Sequence, residues 1–255
     1  MLLLLPPSET KRDGGSSATP ADAAALDLAE LSFPELTSQR KTAVAALRTV
    51  SRSVSASTTA LGLGPTQRFE IDRNRALAKS PVMPAIERYT GVLYDGLEVQ
   101  TLTAGERAFA SRHVVIHSAL FGLIRAGDPI PAYRLSHDSK LPSLSLRRHW
   151  RAPVSAALAS YPGLIIDLRS EAYADLGPAP SSARYLRVLS EDGSGRRVAL
   201  SHFNKKAKGE FTRAVIASGV EFGSVDELLA WAASRGIRLE HGAQGELDLV
   251  LPAHS

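Results

Sequence analysis

Four consecutive leucines, Leu2 to Leu5, run directly into Pro6-Pro7. Leucine at every position offers no polar face, and two prolines stop both a helix and a central strand. A short strand buried on both faces satisfies both facts, and such strands belong to sheets covered by helices. Two further short apolar runs, His113 to His117 and Leu164-Ile165-Ile166, read the same way. Helical spacing separates them. Ala21 to Leu31 and Glu35 to Val54 carry it, the latter through Val44, Leu47 and Val54. Gln67 to Tyr89 reads as two short helices split near Pro81 and Pro84. Thr103-Ala104-Gly105-Glu106 is a capping box opening a helix towards Ser111. Leu144 to Ser160 completes the set.

The second half is expected to pair Tyr185–Ser190 with Arg196–Ser201 around the turn Asp192-Gly193-Ser194-Gly195. Helices follow at Asn204–Ala217 and Ser224–Ser234, joined through Gly219 to Gly223, and two short strands near Ile237–Glu240 and Glu246–Leu251. The fold class is mixed α/β, with residues 1–255 as one domain. Residues 10–20, rich in Gly, Ser and Thr, are read as a mobile loop.

The chain has no cysteine. Disulfides, thiolate metal sites and a cysteine nucleophile are therefore excluded. No apolar run reaches membrane-spanning length, and the leucine run is too short for a signal h-region. Cytoplasm and a monomer are expected. A formal charge of +4 admits a nucleic acid or a nucleotide as partner. The charge is concentrated: Arg134 to Arg151 holds five basic residues against Asp138, and Arg196 to Arg213 holds six against Glu210.

The apolar runs end in polar clusters: Ser8-Glu9-Thr10-Lys11, Ser118 on to Arg125, Asp167-Leu168-Arg169-Ser170-Glu171, and His202 with Asn204-Lys205-Lys206. If the strands are neighbours, these ends converge where α/β sheets bind ligands. Lys205, Lys206 and Lys208 are the sharpest signal. They occupy the first turn of a helix, where cations oppose the helix dipole. The next helix is capped by Ser224 and Glu227 in the stabilising sense. Lysines placed against the dipole, beside exposed N–H groups, suit a phosphate.

Blander readings stand beside these. Ser170 and Glu171 also read as an N-cap and its first-turn acid. Glu9 with Lys11 reads as a solvated pair, and Arg147-Arg148 as a wet helix face. His113 and His117 fall on one face of a strand, but no third ligand accompanies them, so no metal is expected. No Walker A loop or GxGxxG is present, and no cofactor is expected.

The chain resembles the YaaA family of bacterial peroxide-stress proteins. The resemblance is carried by Pro6-Pro7-Ser8-Glu9-Thr10-Lys11, Tyr89-Thr90-Gly91 with Tyr94-Asp95-Gly96-Leu97, and Ser118 to Arg125. Pro131-Ala132-Tyr133-Arg134-Leu135, Leu168 to Tyr173 and Lys205 to Gly209 complete it. It implies an unusual single-domain fold with a basic cleft and a helix-hairpin-helix-like element, for which Asn204–Ser234 is the candidate. It also implies survival of peroxide, limitation of intracellular iron, and DNA binding. Two departures are visible: Arg125-Ala126 stands where the family often has Arg-Pro, and Glu9 where other members have a small residue.

Two functional readings follow. In the first the chain grips DNA phosphates through Lys205, Lys206, Lys208 and Arg213, with Arg125, Tyr133 and Arg134 lining the cleft. Tyr133 would then stack on an unpaired base of distorted or single-stranded DNA. In the second it is an enzyme acting on a nucleotide or nucleobase. Its catalytic groups would come from Ser8, Glu9, Lys11, Asp167, Ser170 and Glu171.

Overall fold

In the computed structural model, which describes residues 1–15, 25–199 and 204–252, the leucine run lies at the centre of a sheet. Strand β1 (Leu2–Leu5) is fully buried. The other strands are β2 (Met83–Pro84), β3 (Val114–Ser118), β4 (Gly122–Arg125), β5 (Pro129–Ile130) and β6 (Ile165–Asp167). Then come β7 (Arg184–Glu191), β8 (Arg197–Ala199), β9 (Leu239–His241) and β10 (Glu246–Pro252). The main sheet runs β4-β3-β1-β6-β7-β10-β9, and β2 pairs with β5 separately. Its five central strands are mutually parallel, and β4 and β9 close the two ends antiparallel. Beside its pairing with β1, β6 meets β7 only at Arg184 and Tyr185, the start of that strand. The hairpin strand β8 pairs with Leu189–Glu191 at its far end. β7 therefore continues past the end of β6, and a hollow opens beside its middle.

The mixed α/β expectation holds, and most elements fall within a few residues of their expected places. Three do not. No helix forms over residues 25–31; Asp27 instead accepts the Ala29 N–H at 2.8 Å, a local turn that competes with helix. Residues 21–24, and 16–20 of the loop, lie outside the described residues. The expected helix from Glu35 to Val54 runs only from Thr37 to Val50, and a second helix, Val54–Leu61, starts at the last residue of the expected span. Between them Ser53 is extended and caps the second through the Ala56 N–H. His113 ends the helix Ala104–His113 rather than starting a strand, so the two histidines do not share a strand face.

The helices Asn204–Ser218 and Val225–Ser234 are both present. Gly219 turns the chain between them with φ +63°. The helix Asn204–Ser218 packs against the short helix Val92–Leu97 at two glycines. A methyl group at Gly209 would lie 2.0 Å from the Leu93 carbonyl oxygen, and one at Gly96 2.7 Å from that of Lys206. This close approach holds the lysine-bearing helix against the helix Val92–Leu97.

Candidate functional site

The segment leaving β1 is held rigidly. Lys11 is buried, and its ammonium donates to the carbonyls of Ser8 (2.9 Å) and Glu9 (3.2 Å). The same ammonium lies 4.1 Å from the centre of the Tyr133 ring, an arrangement cations favour. Burial is the chief cause that brings the Lys11 pKa down to about 7. Thr90 N–H donates to the Thr10 carbonyl, and the Tyr94 hydroxyl to that of Pro6. Gly91 has φ +100°, and a side chain there would press on the Ser8 hydroxyl at 3.3 Å. Two sequence blocks 80 residues apart are thus one loop assembly.

Beyond this loop lies a cleft of about 820 Å³. One wall is Ser8, Glu9 and Thr10 with Thr90 and Gly91; another is Ser170, Glu171 and Tyr173; the third is Tyr185 and Arg187 on β7 with Asn204, Lys205 and Lys208. Lys208 is buried, donates to the Arg169 carbonyl at 3.3 Å, and lies 5.1 Å from the Tyr185 ring centre. Burial leads in lowering its pKa to about 8; Asp167 and Glu171 oppose that and Arg187 adds to it. Ser170 occupies the N-cap position of the helix Glu171–Asp175, yet its side chain makes no capping bond. His137 lines both this cleft and a second groove of about 740 Å³ carrying Lys140, Arg147 and Arg148.

The candidates separate on this geometry. Ser8, Glu9, Ser170, Glu171, Lys205 and Lys208 line the cleft. Arg134 stands just behind it, 2.6 Å from the Glu9 carboxylate, so the departure at Glu9 has its own counter-charge. Lys11 acts on the cleft only through the loop it holds. Lys206 faces away towards Glu210 at 3.6 Å, because it lies about 100° around the helix from Lys205. Arg213 pairs with Glu106 at 3.7 Å, and Arg125 donates to the Arg112 carbonyl and lies over the Phe33 ring. None of these three lines the cleft.

Tyr133 and Asp167 are also corrected. The Tyr133 ring is 1% exposed, and its hydroxyl bonds to Tyr89 and Ser118, each at 2.7 Å, so it cannot stack on a base. Ser118 accepts the N–H groups of Leu120 and Phe121, so this chain of hydroxyls fixes the loop after β3. Tyr133→Phe is expected to cost about 2 kcal/mol by leaving buried hydroxyls short of a partner. Ligand binding should be unchanged. Denaturant unfolding and a binding titration on the same variant check both halves.

Asp167 is held by Arg169, at 2.9 and 2.7 Å to its two oxygens, and is no free acid or base. Arg169 in turn donates to His117 Nδ1 at 2.9 Å, while His113 Nδ1 contacts the Met1 carbonyl at 3.0 Å. The histidines are therefore structural, and among the described residues no three His, Asp or Glu side chains converge on a metal site. His202 lies outside the described residues.

Tyr185, Arg187 and His137 line the cleft without having been singled out in the sequence. Tyr185 and Arg187 are alternate residues of β7 and so share a face, a period-2 signal that β7 carries. His137 left no such trace.

Residues 1–240 match the family model described as peroxide stress protein YaaA. A UPF0246 protein of Corynebacterium glutamicum (strain R) is 41% identical over 256 residues, covering 98% of this chain and 99% of that one. A UPF0246 protein of Streptomyces coelicolor is 37% identical, covering 94% and 92%. One from Bacteroides thetaiotaomicron is 26% identical, covering 67% and 70%. No described helix is long and apolar enough to cross a membrane. With four of the family's six sequence blocks lining one cleft and the family model matching almost end to end, the chain belongs to the YaaA family of peroxide stress proteins.

Proposed function

We propose that the cleft and the groove joined to it grip a strand of DNA with unpaired or distorted character. One nucleotide sits in the cleft, and its neighbours' phosphates lie along the groove. The supporting observation is a set of exposed cations that no carboxylate pairs with. Lys140, Arg148 and Lys205 are exposed along this path, and none has an ion-pair partner among the described residues. Arg147 lies beside them but is paired with Asp175 at 3.2 Å. Unpaired cations on a continuous path are what a phosphate backbone needs. The cleft's volume suits a single nucleotide rather than a duplex. Tyr185, half-buried on its wall, takes the stacking part that Tyr133 cannot. Grip by phosphate carries no base sequence, so recognition is by shape.

The test is fluorescence anisotropy with labelled single-stranded, bubble and duplex oligonucleotides across a salt series. Single-stranded and bubble DNA should bind more tightly than duplex. Replacing Lys140, Arg148 and Lys205 with alanine should reduce the log–log salt slope by about 2. An unchanged slope, or no binding at low salt, overturns the reading. Affinity should also fall as pH rises through about 8, because Lys208 carries its charge below that value and loses it above.

The enzyme reading keeps one observation of its own. Glu171 lines the cleft and is 80% exposed, only loosely paired with Arg187 at 3.6 Å, whereas Asp167 and Glu9 are each tied to an arginine. Turnover of a free nucleotide abolished in Glu171→Gln would favour it.

A further inference from the structure

Lys208 is an unusual residue for a phosphate grip. A lysine that only neutralises phosphate works best exposed, as Lys205 is. Lys208 instead lies 4% exposed under the cleft wall, with a single hydrogen bond, to the Arg169 carbonyl. No carboxylate comes within ion-pair distance of its ammonium among the described residues. The charged groups facing it are Asp167 at the end of β6, Glu171 on the next helix, and Arg187 on β7, with the Tyr185 ring on one side. Asp167 is already neutralised by Arg169, and Glu171 is drawn towards Arg187. What remains is an amine in a dry, aromatic-sided position, opening into a cleft of nucleotide size. Desolvated lysines of this kind are the nucleophiles of Schiff-base chemistry.

We infer that Lys208 forms a covalent Schiff base with the aldehydic carbon of an abasic deoxyribose lodged in the cleft. Among the parts of a DNA strand, only a sugar that has lost its base can open to an aldehyde. The Nζ lone pair attacks C1′ of the open sugar, and the carbonyl π electrons move to oxygen, giving a carbinolamine. Loss of the hydroxyl as water leaves the C=N bond. Addition of water to that bond restores lysine and aldehyde, so no oxidant or reductant is consumed. The sugar lacks a base, which lets it enter beyond Tyr185 towards the buried amine. This inference rests on the DNA reading above and names the lesion that the cleft takes. Aldehydic sugars arise from oxidative damage to DNA, which fits a chain of a peroxide-stress family.

Burial holds the Lys208 pKa down at about 8, so a fraction of the amine is neutral and nucleophilic near neutral pH. The yield of adduct should rise as pH is raised towards that value.

The experiment is reductive trapping. The full chain is incubated with a labelled single-stranded oligonucleotide containing one abasic site, in the presence of cyanoborohydride. Adducts are resolved by denaturing gel, and the modified peptide is mapped by mass spectrometry. The expected result is a one-to-one adduct on Lys208, absent for an oligonucleotide carrying the tetrahydrofuran analogue, which has no aldehyde. Lys208→Arg should keep the positive charge and lose the adduct. Mapping on the unaltered chain decides the matter even if that variant fails to fold. An adduct confined to surface lysines overturns the inference. So does absence of any adduct while the tetrahydrofuran oligonucleotide binds, and in that case the DNA reading survives. Failure of every oligonucleotide to bind at low salt overturns both together.

Discussion

Replacing Arg169 with methionine should lower the unfolding free energy by about 3–5 kcal/mol, the cost of stranding a buried charge. Arg169 is 0% exposed and serves four partners with one guanidinium: both oxygens of Asp167, then His117 Nδ1 and the Gly177 carbonyl at 2.9 Å each, and the Tyr173 carbonyl at 3.5 Å. Methionine fills much the same volume and satisfies none of them. Asp167→Leu combined with Arg169→Met should recover much of the loss, since removing both members of a buried pair is far less costly than removing one. A loss below about 1 kcal/mol in the single variant would mean that water reaches this network.

The same network sets a pH dependence. Burial, and then the charge of Arg169, push the His117 pKa well below the ordinary 6.5. Folded His117 stays neutral at pH values where the unfolded chain takes up a proton. Stability is therefore complete above about 6.5 and declines as pH falls below it. Arg169→Met removes the second cause and should flatten that decline. Denaturant melts at two pH values, on both chains, read all of this out.

This network was only partly legible in the sequence. The apolar run and prolines of Leu2–Pro7, the capping box at Thr103 and Glu106, and the β7–β8 hairpin are local signals, and the structure carries each of them. The opposition of lysine to the helix dipole located the helix on the cleft wall. It could not separate Lys206 from Lys205 and Lys208 until their positions around the helix were counted. Asp167, by contrast, looks like a free carboxylate in any linear reading. Its capture requires Arg169 to turn back on it and be steadied by His117 and Gly177, which arrive from elsewhere in the chain. Tyr133 misled for the same reason. An aromatic beside an arginine in one of the family's blocks suggests a base platform, while its real partners, Tyr89 and Ser118, are 44 and 15 residues away.

Glycines were the least legible residues, and they carry the other large effect. Gly209→Ala should destabilise the chain by about 3 kcal/mol, at the upper end for overpacking. Elsewhere in a helix this change is helpful, because alanine loses less backbone entropy and has the better propensity. Gly105 is the internal comparison: it sits near the start of the helix Ala104–His113, and a methyl group added there would have nothing within 4 Å. Gly105→Ala should therefore gain about 0.5–1 kcal/mol. At Gly209 that group would meet the Leu93 carbonyl oxygen at 2.0 Å and the Leu97 nitrogen at 3.0 Å. These are backbone atoms and cannot rotate aside, so the helices must separate. The consequence reaches the cleft, because Lys208 is the adjacent residue and Lys205 is a turn away. Loss of stability should be accompanied by weaker binding of single-stranded DNA under conditions where the variant remains folded. Thermal melts and anisotropy on the two glycine variants measure both effects. If Gly209→Ala matched Gly105→Ala in either, the close approach of these helices would not be what holds the lysine-bearing wall in place.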